Sequence, residues 1–348
     1  MALLELAMAI PFAMGIDRYL GEPSARWHPV VWVGRYLGWV GRRLAPLAKA
    51  DSTVRAGDPD WIRFGLGALA WSAGAAAVYL VSSELQIGFM LLPDAIGRIP
   101  GMALSALLMA LALKPMLAWR MLRDEVLAVE GALAQSLDAG RERLRWLVSR
   151  DVALLDVAGV RESAIESLAE NLNDSVVAPI FWFVLLGLPG AAVYRFANTA
   201  DAMWGYRGIY KGRNWEWAGK WAARSDDVLS WVPARITALL LMLVARVHSL
   251  RALGPGPSGV RSPAYGWRAL QLEASRTPSP NSGWPMAAMA LGLQVSLSKP
   301  QVYTLNPQGK PPLAQDTQRA IAYASHVVGA AAVIAVAAIL LLAKVPTP

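Results

Sequence analysis

Four acidic side chains recur at intervals of four in RESAIESLAENLND: Glu162, Glu166, Glu170 and Asp174. On an α-helix, residues four apart lie about 40° from one another on a single face. The segment therefore reads as an acidic stripe. Like charges at this spacing repel, so an isolated helix gains nothing from them. One reading is a solvated face with arginine partners. The other is a cation site: the stripe holds no lysine, its only basic member is Arg161, and Asn171 and Asn173 flank the last acids. Carboxylates and amides converging on one face suit a hard cation such as Mg²⁺. Residues 175–190 follow at once and carry no charge. The chain thus sets a cluster of acids against a segment apolar enough to enter lipid.

A second cluster runs from 194 to 235, YRFANTADAMWGYRGIYKGRNWEWAGKWAARSDDVLSWVPAR. Asn198 and Asp201 are three apart, as one helix face allows. Asp226 and Asp227 are adjacent, with Arg224 just before them and Arg235 nine residues after Asp226. Tryptophan and tyrosine interleaved with arginine and lysine also mark the belt of a protein at a lipid interface. Paired acids with nearby cations are what phosphoryl chemistry requires: the acids hold Mg²⁺ and the basic groups neutralise phosphate charge. No GxxxxGK[ST] loop is present, which excludes a P-loop enzyme. A third signal, SPNSGWP at 279–285, is dominated by turn residues and by itself reads as a loop. The chain has no cysteine, which excludes disulfides, thiolate metal sites and cysteine nucleophiles. Its three histidines, His28, His248 and His326, lie too far apart in sequence to suggest a His-rich metal site.

The elements that must position these residues are apolar helices. Of the 348 residues 55% are hydrophobic and 17% charged, and the mean hydropathy is +0.36. Soluble domains carry about a quarter charged residues, so the composition points to a membrane protein. A net charge of +8 is compatible with nucleic acid, anionic lipid or a phosphorylated substrate. The favoured source is the lysine and arginine excess of cytoplasmic loops. A spanning helix needs about 20 mostly apolar residues. Residues 64–83, 175–194 and 320–343 meet that length; 99–119 does so if Lys114 snorkels; 236–250 does so by taking in Arg246; 3–20 reads as a retained apolar helix, without the basic start of a signal peptide. Residues 285–297 are too short to span and read as re-entrant or buried. Polar segments lie between: 120–174, amphipathic and helical with a break near 138–140; 195–235; and 254–280, a loop. No repeat is evident and strand-like alternation is weak, so the expected fold is an all-α, polytopic helical bundle forming one membrane-embedded domain over 1–348. The basic segments 21–63, 120–161 and 195–235 all belong in the cytoplasm. Residues 175–194 would then leave and return in one pass. Either they turn back near Gly187-Leu-Pro-Gly190 or they pack inside the bundle.

Six segments, taken together and in this order, resemble the membrane-bound adenosylcobinamide-phosphate synthases of cobalamin biosynthesis: DRYLGEPSARWHPVVWVGR (17–35), SRDVALLD (149–156), ESAIESLAENLNDSVVAPIFW (162–182), LGLPGAAVYRFANTADAMWGYR (186–207), AARSDDVLSWVPARITALL (222–240) and SPNSGWPMAAMA (279–290). The likeness spans nearly the whole chain. Three positions depart from the family's usual pattern: Glu22 stands where Asp is usual, Ser230 where Asn is common, and Met286 where Glu is frequent.

The resemblance implies a ligation that joins adenosylcobyric acid to (R)-1-amino-2-propanol or its O-phosphate with consumption of ATP. A carboxylate does not acylate an amine at neutral pH unless it is activated. Phosphorylation by ATP would give an acyl phosphate, with Mg²⁺ and basic side chains stabilising the moving charge. The amine must lose a proton to attack, and a nearby carboxylate could take it. On this reading the catalytic set is Glu166, Glu170, Asp174, Asp201 and Arg224. Substrate and nucleotide would be held by Asp17, His28, Arg150, Asn171, Arg195, Asn198, Lys211, Arg235, Asn281 and Trp284. Metal would bind Glu170, Asp174, Asp226 and Asp227. Segments 17–28, 194–231 and 279–284 would share a corrinoid pocket at the cytoplasmic face. His28 is either a turn-positioning residue or a lower cobalt ligand. The expected setting is the inner membrane, with the site facing the cytoplasm, no nucleic-acid partner, and a homo-oligomer or a complex with other membrane enzymes of the pathway. Two other classes compete: a non-catalytic sensor related to β-lactamase induction, and a transporter. The acids argue against the first. Their place beside the apolar segments rather than within them argues against the second.

Overall fold

Backbone amides that cannot reach water must be paired within the protein, and a long apolar run achieves this most directly as a helix. The computed structural model, which describes residues 2–48, 59–252 and 266–343, is accordingly almost entirely helical. Among the described residues, five helical stretches are long and apolar enough to cross a membrane: Trp61–Ile96, Arg98–Leu133, Val157–Trp204, Lys220–Leu250 and Ala314–Leu342. Large apolar side chains such as Leu69, Leu80 and Val81 on the first and Val333 and Leu341 on the last are turned outward. That is the reverse of a water-soluble surface and fits contact with a bilayer. Helix Ala2–Leu20 forms as expected, although it carries Glu5, Asp17 and Arg18 and is not among the five.

The chain divides into two compact units. The first comprises Met1–Leu117, Pro179–Leu229 and Ala335–Pro348. Its core gathers Leu37, Val40, Phe196, Trp204 and Trp215, and the Trp204 indole donates to the Leu37 carbonyl oxygen at 3.1 Å. The second comprises Ala118–Ala178 and Ser230–Ile334. Here Arg161 grips both oxygens of Glu130, with contacts of 2.7–3.1 Å, and Thr317 donates to the same carboxylate at 3.0 Å. This clamp ties helices Trp119–Leu133, Val157–Leu172 and Ala314–Leu342 together.

Several boundaries differ from expectation for identifiable reasons. Residues 138–140 do not break a helix but lie inside Leu137–Leu144. Ser136 caps that helix by accepting from the Ala139 N–H at 3.1 Å, and Gly140 is small because Leu133 packs against it. The breaks fall instead on either side, at 134–136 and 145–156. Lys114 does not snorkel: it is 2% exposed and held by carboxylates. Pro115 ends the preceding helix in a short 3₁₀ turn, Lys114–Met116. Of the expected loop 254–280, residues 254–265 lie outside the described residues, whereas Trp267–Ala274 is a helix that buries Leu270 and Ala274. Residues 285–297 belong in part to a buried helix, Gly283–Leu293, stopped by a left-handed Gln294. Two antiparallel hairpins also occur, Ile209–Tyr210 with Arg213–Asn214 and Leu297–Lys299 with Tyr303–Leu305. Strands of two or three residues are too short to show as alternation.

The acidic stripe and the apolar segment that follows it form one run of helix. Val157–Leu172 passes through a π turn, Asn173–Val177, into Ala178–Trp204. The run then bends sharply at Gly187, whose φ of 68° and ψ of −154° are not helical. A Cβ placed on Gly190 would lie 2.4 Å from the Trp182 carbonyl oxygen, although eight residues separate them. In a straight helix eight residues span about 12 Å, so the two arms fold back on each other at the apex. The chain takes the turn-back option near 187–190. The freed Leu188 N–H is taken up by Gln86 Oε1 from helix Trp61–Met90 at 2.7 Å.

This bend makes a stability prediction. Gly187→Ala imposes a positive φ on a residue with a Cβ, and that Cβ would sit 2.3 Å from Gln86 Oε1. Gln86→Leu leaves the Leu188 N–H without its acceptor, at a cost of about 1–3 kcal/mol. Both variants are expected to lower the thermal unfolding midpoint of the detergent-solubilised protein. Gly65→Ala, with nothing within 4 Å of its Cβ, should leave the midpoint unchanged.

Candidate active site

In the second unit the first two acids of the stripe are buried, and Glu170 and Asp174 are half-buried. Glu162 and Glu166 are 7% and 4% exposed. Each has a separate task. Glu162 Oε2 accepts from the Ser298 N–H at 3.0 Å and also from the Ser298 hydroxyl, which fixes the Leu297–Lys299 hairpin to the helix. One turn on, Glu166 Oε2 accepts from Arg150 Nη2 at 2.7 Å. Arg150 comes from the irregular segment that precedes the helix, which starts with Asp156 accepting from the Gly159 N–H at 2.8 Å. Around the Arg150–Glu166 pair lies a polar pocket of about 160 Å³. Glu170, Asn171, Lys299 and Tyr303 also line it. The phenol of Tyr303 is held protonated: burial raises its pKa above the ordinary value, and the nearby carboxylates of Glu166 and Glu170 raise it further. It donates to the sulfur of Met286 at 3.8 Å, so one of the three unusual positions is part of this pocket wall. Lys299 and Tyr303 carry no sequence motif. Only the hairpin anchored by Glu162 brings them here.

Also in the second unit, Arg235 donates to Asn281 Oδ1 at 2.8 Å and to the Pro280 carbonyl oxygen at 3.2 Å. Its guanidinium stacks over Trp231 and Trp284, 4.3 and 4.6 Å from the ring centroids. The SPNSGWP turn is thus fastened to the helix that carries the paired acids. Planar stacking with directed donors requires arginine at this place. Asp174 lies in the π turn and accepts from Asn173 Nδ2 at 2.8 Å. Asn171 donates to the Ser167 carbonyl oxygen at 2.9 Å.

The first unit holds a much larger and mostly apolar cavity of about 850 Å³. Trp27, Trp32 and Tyr36 contribute aromatic surface, and Glu22, Lys114 and Arg195 are among its few charged lining residues. Lys114 makes ion pairs with Asp17 at 2.9 Å and Glu22 at 2.6 Å, so the resembling segment at 17–28 folds around a lysine that has no motif of its own. His28 lies 3.2 Å through Nε2 from Glu22 Oε2, while Nδ1 accepts from the Val30 N–H at 3.2 Å and caps helix Pro29–Leu44. Both ring nitrogens have protein partners, and His28 caps a helix, as the turn-positioning reading expects. Burial raises the Glu22 pKa, but hydrogen bonds from His28 and Lys114, together with the Lys114 charge, outweigh it and bring the carboxyl below the ordinary value.

Three other predicted residues of this unit form a chain: Arg195 donates to Asn198 Oδ1 at 3.4 Å, and Asn198 Nδ2 approaches Asp226 Oδ1 at 3.5 Å. Asp201 is half-buried on the same helix as Asn198, and Arg224 is exposed. Lys211 occupies the tight turn between Ile209–Tyr210 and Arg213–Asn214 with φ 47° and lies over the Tyr210 ring at 5.2 Å. The proposed metal ligands divide between the units, Glu170 and Asp174 in the second, Asp226 and Asp227 in the first. Among the described residues no three His, Asp or Glu side chains converge as a metal cage. Mg²⁺ carried by a nucleotide does not need one, because it is bound by one or two carboxylates together with phosphate oxygens.

The fold and these sites define a multi-pass helical membrane protein that keeps buried charge beside its apolar helices. The family described as CobD/Cbib protein matches residues 10–335, and the chain belongs to that family. It is 38% identical over 311 residues to the cobalamin biosynthesis protein CobD of Chromobacterium violaceum, covering 89% of this chain and 87% of that protein. It is 36% identical to the probable cobalamin biosynthesis protein CobD of Pyrococcus abyssi, covering 88% and 87%. It is 33% identical to the cobalamin biosynthesis protein CobD of Sinorhizobium fredii, covering 95% and 93%. No solved structure matches. A role in cobalamin biosynthesis follows from the family.

The Lys114 network predicts two outcomes. Lys114→Met strands Asp17 and Glu22 beside apolar surface and should cost about 3–5 kcal/mol, read as a large drop in thermal midpoint. The second outcome is pH dependence. A carboxyl whose folded pKa is lowered stabilises the fold above its unfolded pKa and loses that contribution as pH falls through the folded value. The gap in midpoint between wild type and Glu22→Gln should therefore be widest near neutral pH and close as the pH falls below 4.5, the ordinary Glu value. A gap that is constant between pH 7 and pH 3 would exclude the ionised Glu22 as its source.

Proposed function

We propose that the protein catalyses the ATP-dependent amide ligation of adenosylcobyric acid with (R)-1-amino-2-propanol or its O-phosphate, giving adenosylcobinamide or adenosylcobinamide phosphate. The observation that carries this reading is the polar pocket, where Arg150 and Lys299 stand with Glu166 and Glu170. It combines cations for phosphate charge with carboxylates able to take a proton. Family membership supplies the pathway. Activation of the corrinoid carboxylate by phosphoryl transfer from ATP makes it reactive. The ammonium of the amine loses its proton to a carboxylate, for which Glu170 is the candidate, and the free amine displaces phosphate to form the amide. Glu170 and Asp174, or Asp226 and Asp227, would hold Mg²⁺, which supplies charge neutralisation at the nucleotide phosphates. The cavity of the first unit, with its aromatic wall, suits the amphipathic face of a corrinoid. The site would face the cytoplasm, where ATP is found, and the membrane would be the inner one.

The test is ATP turnover by the purified protein with and without adenosylcobyric acid and each amine. Turnover should require both substrates. Glu170→Gln, which keeps shape and removes charge, should lower kcat by about 10²-fold or more. If Glu170→Gln, Asp174→Asn and Asp226→Asn all turned over at the wild-type rate, the catalytic and metal assignments would be wrong. ATP consumption that ignores the corrinoid would remove the ligase reading itself.

A further inference from the structure

The apolar cavity of the first unit opens sideways. Val81 and Leu85 on Trp61–Ile96 and Leu111 on Arg98–Leu133 line it. The same three side chains are exposed on the outside of helices long and apolar enough to span. The mouth is therefore continuous with the surface that meets the bilayer. At about 850 Å³ the space lies within the roughly 300–1,000 Å³ of ligand sites. Its polar side chains are already spent. Tyr36 donates to the Ala70 carbonyl oxygen at 2.8 Å, Ser82 to that of Val78 at 2.6 Å and Thr199 to that of Arg195 at 2.7 Å. Lys114 and Glu22 pair with each other. An ordered water needs about two to four polar partners, so this space suits water poorly. A hydrocarbon chain needs none. Beside the mouth stands a cation. The Arg26 guanidinium lies 5.6 Å from the ring centroid of Trp27, a lining residue. The Arg26 carbonyl oxygen accepts from the Trp32 indole, also in the lining, at 3.0 Å. Among the described residues no carboxylate pairs with Arg26. Tryptophan beside arginine suits the level of the lipid headgroups, with the amphipathic ring at the boundary and the cation toward phosphate.

We propose that this cavity holds an acyl chain of an anionic phospholipid drawn from the bilayer, with the lipid phosphate against Arg26. The chain enters beside Val81, Leu85 and Leu111 and fills a space that water does not. The headgroup stays at the mouth, where Arg26 is free of carboxylates. A corrinoid that uses the same cavity must displace the lipid; this step rests on the ligase reading above. Since the polar lining groups are spent, the corrinoid would offer the cavity its apolar face and keep its polar edge outside. Lipid that binds the free protein lowers the apparent affinity for the corrinoid by mass action, so lipid-depleted protein binds the corrinoid more tightly.

The experiment is native mass spectrometry of the full-length protein, released from bilayer discs of phosphatidylglycerol or of phosphatidylglycerol mixed with diacylglycerol. The wild type should retain phosphatidylglycerol at least about tenfold better than diacylglycerol, as one charge-assisted contact gives. Arg26→Gln, at an exposed turn, should abolish that preference. Ala77→Phe places a ring in the cavity and should abolish retention of both lipids. Ala76→Phe, exposed on the same helix but outside the lining, should retain them as the wild type does. Glycerol 3-phosphate has the head without the chain and should not displace the lipid. A wild type that retains no lipid overturns the proposal. So does an Ala77→Phe protein that retains lipid with the wild-type thermal midpoint, or displacement by glycerol 3-phosphate, which would mark a plain phosphate site. Adenosylcobyric acid should release the lipid, and corrinoid binding that leaves it in place overturns the shared use of the cavity. Turnover separates this result from the ligase reading. Amide formation by a wild type that retains no lipid removes the lipid site and keeps the ligase. Lipid retention with no amide formed from any amine keeps the lipid site and removes the ligase.

Discussion

The backbone of a segment entering an apolar layer has no water to bond, so it must remain in a hydrogen-bonded helix or find another partner for each freed group. Most of the structure follows from this at 157–204. The chain cannot leave its acids in a loop and start a separate helix, because the same helix carries both. The π turn at Asn173–Val177 changes the helix phase without breaking its bonding, and such turns recur at functional sites. Where the run does break, at Gly187, a side chain from another helix replaces the lost bond. Two arms folded against each other need only enter the apolar layer and return.

Charge buried beside such helices is tolerated only when paired, and every buried acid of the resembling segments whose contacts are described here has a structural partner. Asp17 and Glu22 share Lys114, Glu162 holds a strand, and Glu166 holds Arg150. Burying ions is costly even when they are paired. Retaining several such pairs in one chain is therefore weak evidence for stability and stronger evidence for a site. The pairs are arranged before any substrate arrives, and preset charge is the condition for electrostatic catalysis, because nothing need reorganise during the reaction.

Much of this was legible in the sequence. Length and hydropathy gave the long apolar helices, and the i, i+4 spacing placed Glu162, Glu166 and Glu170 on one face. Gly187 and Pro189 marked the bend. Burial was not legible. A stripe of four acids reads equally well as solvated, and only the packing of 297–305 and Arg150 against it shows otherwise. Lys114, Lys299 and Tyr303 were invisible for the same reason: a lone lysine in an apolar run looks like a snorkelling residue, and three-residue strands leave no periodic trace. His28 was legible as a turn-positioning residue: the proline that follows it starts a helix, a residue before such a start is most often a cap, and its Nδ1 accepts from the Val30 N–H.

The acidic stripe is best understood as one helix face with its tasks divided by depth. Glu162 is spent on structure: it bonds both the amide and the hydroxyl of Ser298, and Ser298 directly precedes Lys299. Glu166, one turn later, completes an ion pair with Arg150 and lies beside the Tyr303 phenol. Glu170 comes next, on the pocket wall, and Asp174 falls in the π turn where the helix changes phase. The repeat of four that would only repel on an isolated helix is useful once each acid meets a different partner. The first acid fixes the hairpin that brings in a cation, and that cation makes a second and third carboxylate tolerable side by side. The acids stand against an apolar segment because one helix must both carry the charged site and lead into the buried hairpin that follows.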